Sequence, residues 1–117
     1  MGIPRKGVRK AELKGIVTRR QLAPVHPGEV LLHEFIEPLG LTRYKIAKAI
    51  KVPQRRIDEI CAGKRALTAD TALRLARLFG MDAQTWVNLQ AQYDLEKAER
   101  ELRPRIEQEV EPFERAA

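Results

Sequence analysis

The apolar positions between residues 26 and 98 recur at the three-to-four spacing of helices, without the alternation expected of strands. They fall into five segments separated by residues that start or end helices. Thr42 and Asp82 can cap helix N-termini, whereas Gly63 and Gly80 suit the position after a helix. Five short helices with short connections predict an all-α domain of about 70 residues. The predicted helices begin near residues 26, 42, 53, 68 and 82.

The fifth segment is the hardest to delimit. Its pattern allows an extension toward Leu102, but Pro104 predicts an end, because proline inside a helix removes a backbone donor and clashes with the preceding turn. We therefore expect a separate short helix between Pro104 and Pro112.

The second and third helices form the informative pair. A connection of about three residues forces a sharp crossing, as in a helix-turn-helix unit. Ala47 is small where the two helices would meet, and Ile57 and Ile60 would face inward. The outward residues near the start of the third helix are then Gln54, Arg55, Asp58 and Glu59.

In a helix-turn-helix unit the start of the recognition helix enters the major groove of DNA. Arg55 can donate two hydrogen bonds to guanine and Gln54 can pair with adenine, so both are predicted base contacts. Helix N-termini and flanking cations would hold phosphates. The predicted phosphate contacts are Thr42, Arg43, Lys45, Arg56, Lys64 and Arg65.

An ordinary solvated helix face is the alternative to a DNA-reading one. The small Ala47, the short turn, the isoleucine spacing and the bracketing cations agree with each other, and together they favour DNA reading. Aromatic residues make up only 5% of the chain and fall at core-like positions. This scarcity argues against recognition of single strands by base stacking.

Charge divides the chain into three parts. Residues 1–25 hold seven Lys/Arg and one Glu (net +6), residues 26–97 hold eleven and nine (net +2), and residues 98–117 hold four and six (net −2). We predict a basic flexible arm over residues 1–25, a helix-turn-helix domain over 26–98 and an acidic tail over 99–117. The arm suggests an anionic partner, with solvated disorder as the alternative.

Composition narrows the class of protein further. Charged residues make up 32% and apolar residues 44%, and no run of 18 apolar residues could span a membrane. The N-terminus has no apolar signal-peptide core. A single cysteine, Cys61, cannot form an internal disulfide, which agrees with a cytoplasmic protein.

Candidate residues for metal binding or catalysis are few. His26, His33 and Cys61 lack a zinc-ligand spacing. A Cys61–His33 pair has neither an orienting residue nor an oxyanion motif beside it, and no glycine-rich phosphate loop occurs. We expect no metal, no cofactor and no enzymatic activity, with His26 in a turn and His33 on a helix surface.

Three motifs give the chain a family resemblance: "HPGE" at 26–29, "GKRALTADTALRLARLFG" at 63–80 and "WVNLQAQYDL" at 86–95. Together they resemble a HigA/VapI-type antitoxin of the Xre/Cro-like helix-turn-helix superfamily. The resemblance spans residues 26–98 and implies a five-helix, lambda-repressor-like fold. It also implies a homodimer that binds a palindromic operator in its own promoter and neutralises a RelE/HigB-like, mRNA-cleaving toxin.

The resemblance also implies roles for particular residues. The first two residues of the recognition helix, Gln54 and Arg55, read bases, and Asp58 or Glu59 adds a contact one turn later. Arg43 touches phosphate. The fifth helix forms the dimer through Trp86, Leu89, Gln90 and Tyr93, although Trp86 also suits the core.

Two positions depart from the family pattern. Lys51 occupies a turn position where glycine is common, and a left-handed conformation there would cost lysine about 1 kcal/mol. Pro53 replaces the usual Ser/Thr cap.

The basic arm, Arg5 to Arg20, or the acidic tail, Glu99 to Glu114, would engage the toxin. The operator sequence does not follow from the chain.

Three other interpretations remain to be separated from the antitoxin. A stand-alone Xre-type regulator would have no toxin gene beside it. A small enzyme using Cys61 or the histidines would be separated by thiol alkylation, because a repressor would keep operator binding. A pure protein-interaction domain would leave no footprint on its own promoter.

Overall fold

Residues 23–114 are those described in the computed structural model of the chain, and they fold as helices without a β-strand among them. Most of the predicted basic arm, residues 1–25, lies outside this range. Helix α1 (Pro27–Val30) continues directly as a π-helical segment (Leu31–Ile36). It is followed by α2 (Arg43–Ile50), α3 (Gln54–Cys61), α4 (Ala69–Phe79) and α5 (Ala83–Glu109). The all-α, five-helix prediction is confirmed.

The helix ends are fixed largely by local chemistry. The Thr42 hydroxyl accepts a hydrogen bond from the Lys45 amide at 3.0 Å, and Asp82 accepts one from the Gln84 amide at 3.1 Å. Gly80 ends α4 in the left-handed region. These caps agree with the boundaries predicted from the sequence.

Helix α1 is capped in a way that its sequence did not reveal. His26 is buried at the start of α1, and its Nδ1 accepts a hydrogen bond from the Gly28 amide at 2.9 Å. Burial lowers the pKa of His26, which favours the neutral ring that this cap requires. The ring also packs edge-on against Tyr93, with the two centroids 4.8 Å apart.

The core lies where the five helices meet. Leu31, Ile46, Ile57, Ile60 and Leu75 are 0% or 1% exposed. Both predicted inward residues of α3 are therefore fully buried, which confirms the inferred orientation of that helix.

An aromatic group closes the core between the π-helical segment, α4 and α5. Phe35 lies 4.8 Å from Phe79 and 5.3 Å from Trp86, measured between ring centroids. Trp86 is 0% exposed within the single chain. Its indole is a core residue with no surface left for a partner, which corrects its assignment to a dimer interface.

Helix α5 corrects the prediction that Pro104 ends a helix. It runs through Pro104 to Glu109 without a break, so the acidic tail continues this helix instead of forming a separate one. The residues around Pro104 are exposed, so water can hydrate the backbone at the missing hydrogen bond. An ion pair between Arg103 and Glu107, 3.8 Å apart, spans the proline, and the pairs Arg103–Glu99 and Arg105–Glu109 support the helix on either side of it. No helix of the described chain is long and apolar enough to cross a membrane.

Candidate nucleic-acid interface

The short connection between α2 and α3 fixes the direction of the candidate recognition helix. Lys51 ends α2 with φ 65° and ψ 46°, and is the one non-glycine residue with positive φ in the described chain. Because glycine is common at this position in the family pattern, the sequence had correctly indicated a left-handed turn here. Pro53 then starts α3 from extended backbone and gives it no side-chain cap, as predicted.

Helix α3 is also held against α1 by a very close backbone contact. Gly28 lies so near the end of α3 that a Cβ atom built on it would be 1.7 Å from the Ile60 carbonyl oxygen. Only glycine permits this approach. The contact and the two buried isoleucines of α3 together set which residues of this helix face outward.

The two predicted base-contacting residues at the start of α3 are exposed. Gln54 is exposed, and the Arg55 side chain is 82% exposed. Their positions suit a helix end that enters a groove. The structure thus leaves their amide and guanidinium groups accessible to a large ligand.

Glu59 is placed differently from the expected base contact. Its Oε2 accepts a hydrogen bond from Arg55 Nε at 2.8 Å, and its Oε1 accepts one from Arg65 Nε at 2.8 Å. These bonds, that from Arg55 foremost, lower the pKa of the Glu59 carboxyl. Glu59 therefore bridges two arginines of the candidate interface. A contact to a base would require this bridge to open.

Asp58 also faces a neighbouring cation. Its Oδ1 lies 3.3 Å from Arg43 Nε at the start of α2, which is within ion-pair distance. The same oxygen is buried and has no hydrogen bond of good geometry. We interpret the contact as Coulombic attraction across the two helices. It ties a predicted base contact to a predicted phosphate contact.

Arg56 points toward α4 and away from the outer surface of α3. It donates a hydrogen bond to Asp70 Oδ2 at 2.7 Å, and Arg74 donates to the same carboxylate at 3.1 Å. Arg74 also donates to the Ile50 carbonyl at 2.8 Å, so this cluster joins α2, α3 and α4. The hydrogen bonds from Arg56 and then Arg74 lower the pKa of Asp70.

This cluster gives Arg56 a role in the fold. A DNA phosphate would have to share the Arg56 guanidinium with Asp70. Sequence reasoning missed both Asp70 and Arg74. The four-residue spacing of Asp70 and Arg74 was a visible signal of an ion pair on one helix face. Nothing local indicated that the pair would reach α3.

The other predicted phosphate contacts lie around the same surface. Lys45 and Lys64 are exposed, and the Arg65 side chain is 44% exposed. Thr42 uses its hydroxyl in the cap of α2. Cations from the start of α2 and from the turn after α3 thus flank the exposed residues Gln54 and Arg55.

Of the three remaining residues assigned to a dimer interface, only Gln90 is buried. Gln90 is 9% exposed, and its Oε1 accepts a hydrogen bond from the Leu67 amide at 2.7 Å. It is a structural residue that satisfies a buried backbone donor, which corrects its predicted role. Leu89 and Tyr93 are only partly buried and keep some surface for a partner.

The candidate catalytic residues are not brought together as a site. Cys61 is buried, and burial raises the pKa of its thiol, which makes it a poor nucleophile. His33 is exposed as predicted and pairs with Glu37 at 2.9 Å. No cluster of three His, Cys, Asp or Glu residues suited to a metal ion occurs in the described chain.

Comparison with known proteins shows the family to which the chain is related. Residues 32–86 match the helix-turn-helix family model. Virulence-associated protein I of Dichelobacter nodosus is 48% identical over 83 residues, which cover 71% of this chain and 77% of that protein.

Two solved structures have a similar backbone. The antitoxin HigA of Pseudomonas aeruginosa, solved with the higBA promoter, is 38% identical with a TM-score of 0.76, covering 78% of this chain and 99% of that one. The antitoxin GraA in complex with its operator is 31% identical with a TM-score of 0.76, covering 80% and 95%. The chain belongs to the Xre-type helix-turn-helix family that includes the HigA antitoxins.

Proposed function

We propose that this chain is a DNA-binding antitoxin that represses its own operon and neutralises a RelE/HigB-like, mRNA-cleaving toxin. The observation that carries the proposal is the exposed start of α3, where Gln54 and Arg55 stand clear of the domain between flanking cations. Two relatives of similar fold, HigA and GraA, are described with promoter or operator DNA. Both relatives are named as antitoxins, which supports the antitoxin role in this proposal.

On DNA, the start of α3 would enter the major groove. Arg55 would leave Glu59 to bind guanine, and Gln54 would pair with a neighbouring base. Lys64, Arg65 and the start of α2 would hold phosphates on either side of the groove. Such contacts fix the register of the protein on the duplex and make binding depend on salt.

The operator would be palindromic because the protein would bind it as a homodimer. Two recognition helices would then enter successive major grooves about 34 Å apart. Since Trp86 and Gln90 are buried within one chain, the dimer would use other surface, including the exposed parts of Leu89 and Tyr93.

Footprinting on the DNA upstream of the chain's own gene tests the repressor. We expect Arg55→Ala to bind the operator about ten- to a hundredfold more weakly and to lose base preference at one position of each half-site. Lys64→Ala should weaken binding to all sequences alike and reduce the salt dependence. Arg105→Ala, at an exposed arginine on α5, is the matched control and should bind like the parent.

Two results would overturn the assignment. One is the absence of any protected segment in the upstream DNA. The other is an Arg55→Ala protein with the parent's affinity and sequence preference. The antitoxin role requires a further result: the product of the adjacent reading frame should bind the chain. A lack of such binding would favour a stand-alone regulator.

A further inference from the structure

Helix α5 carries a second apolar face on the side opposite its own domain. Trp86 and Gln90 are buried against the domain. At 3.6 residues per turn, Leu95, Leu102 and Ile106 fall within an arc of about 40° on the other side of the helix. They are 61%, 42% and 48% exposed, respectively. The helix therefore has two apolar faces, and the domain covers one of them.

Two further exposed apolar side chains follow the end of the helix. Val110 and Phe113 follow Glu109 and are 61% and 88% exposed. We call the set Leu95, Leu102 and Ile106 the outer face. Large apolar side chains grouped on one exposed surface are typical of a protein interaction site.

The charges around the outer face distinguish between its candidate occupants. Residues 99–114 hold six Glu and three Arg, a net of −3, whereas residues 26–97 have a net of +2. Arg103 pairs with Glu99 and Glu107 in the same helix, and Arg105 pairs with Glu109. A second copy would bring two surfaces of net negative charge together. A cationic partner would be attracted to the same surface.

We infer that the outer face docks a cationic protein surface and that this partner is the toxin. The inference rests on the proposed function, because a toxin that cleaves mRNA must hold RNA phosphates with basic residues. The carboxylates beside the outer face would meet those residues in place of phosphate. The apolar side chains would give the complex the buried area that exposed ion pairs alone do not supply.

The test uses the full chain and the product of the reading frame beside its gene, each purified separately. Leu102→Gln with Ile106→Gln removes two outer-face side chains while keeping a good helix former at Leu102 and a comparable one at Ile106. We expect the Kd for the toxin to rise at least about tenfold. Leu39→Gln changes a leucine that is 58% exposed in the loop before α2, and it should leave the Kd unchanged.

Salt gives a second measurement on the unmodified protein. Toxin binding should weaken steeply between about 0.05 and 0.5 M NaCl, because the proposed charge contacts are exposed and therefore screened. Binding that does not respond to salt would overturn the cationic-surface part of the inference.

Circular dichroism of the double variant should match the parent, since both positions lie beyond the buried core.

The remaining outcomes separate this inference from the function on which it rests. If the parent does not bind the neighbouring product, the toxin part of the proposed function fails and the inference fails with it. If the parent binds and the double variant binds equally well, the inference alone is wrong. A double variant that loses its dimer in sedimentation would assign the outer face to a second copy instead. Loss of toxin binding only on deletion of residues 1–22 would assign the contact to the arm.

Discussion

Replacing Gly28 by alanine should be one of the most damaging single-methyl changes in this domain. The added Cβ would lie 1.7 Å from the Ile60 carbonyl oxygen and 3.0 Å from the Cys61 Cα. Ordinary contacts begin at 3.4 Å, so α1 and α3 would have to separate by about 1.7 Å, the difference of the two distances. The obstructing atoms are backbone and cannot rotate away. Overpacking typically costs about 1–3 kcal/mol, and we expect a loss of about 3 kcal/mol or more in the free energy of unfolding.

Urea denaturation followed by circular dichroism measures this loss, and Gly40→Ala provides the control. Gly40 has φ +67° and nothing within 4 Å of its added Cβ. Alanine there should cost only the left-handed strain, about 1–2 kcal/mol. If Gly28→Ala destabilises the domain no more than Gly40→Ala, then α1 and α3 do not approach as closely as described. Operator binding should also fall in the Gly28 variant, since the same contact positions the recognition helix.

Three further changes test other parts of the structure. Lys51→Gly should stabilise the domain by about 0.5–1 kcal/mol in urea, because relief of left-handed strain exceeds the added freedom of the unfolded chain; a loss of stability would contradict this. Gln90→Leu should cost about 1–3 kcal/mol by leaving the buried Leu67 amide without an acceptor, whereas Gln92→Leu on the exposed side should change stability by less than about 0.5 kcal/mol. Because the pKa of His26 is lowered in the folded protein, stability present above the unfolded pKa of about 6.5 should be lost as pH falls through the folded pKa. His26→Asn, which can still cap, should flatten that part of a thermal-denaturation profile, and an unchanged slope would exclude His26 as its cause.

The parts of the fold that sequence predicted are those decided by chemistry within a few residues. Thr42 and Asp82 cap helices because their side chains reach amides two or three positions ahead. The left-handed Lys51 follows from a turn too short for any other geometry. Ile57 and Ile60 are buried because only one orientation of a short amphipathic helix covers both.

The parts that sequence did not predict depend on contacts between distant segments. Trp86 and Gln90 have helical spacing that fits an inward or an outward face equally well, and only the packed domain decides between them. Helix α5 passes Pro104 because solvent and neighbouring ion pairs compensate for one missing hydrogen bond. The propensity of proline alone could not indicate this, since propensity describes an isolated residue and not its surroundings.

The acidic residues of the candidate interface also make contacts that the sequence did not predict, and these contacts suggest a different role for them. The family resemblance implied that Asp58 or Glu59 contacts a base one turn after Gln54 and Arg55. In the structure Glu59 holds Arg55 and Arg65, and Asp58 lies against Arg43. An exposed ion pair is weak in water, whereas a bidentate arginine contact to guanine forms in a groove from which water is displaced. DNA should therefore win the competition for Arg55, and Glu59 would act mainly by limiting the orientations of that side chain before binding. Under the proposed function, the carboxylates of α3 would prepare the arginines for DNA and would not need to contact its bases themselves.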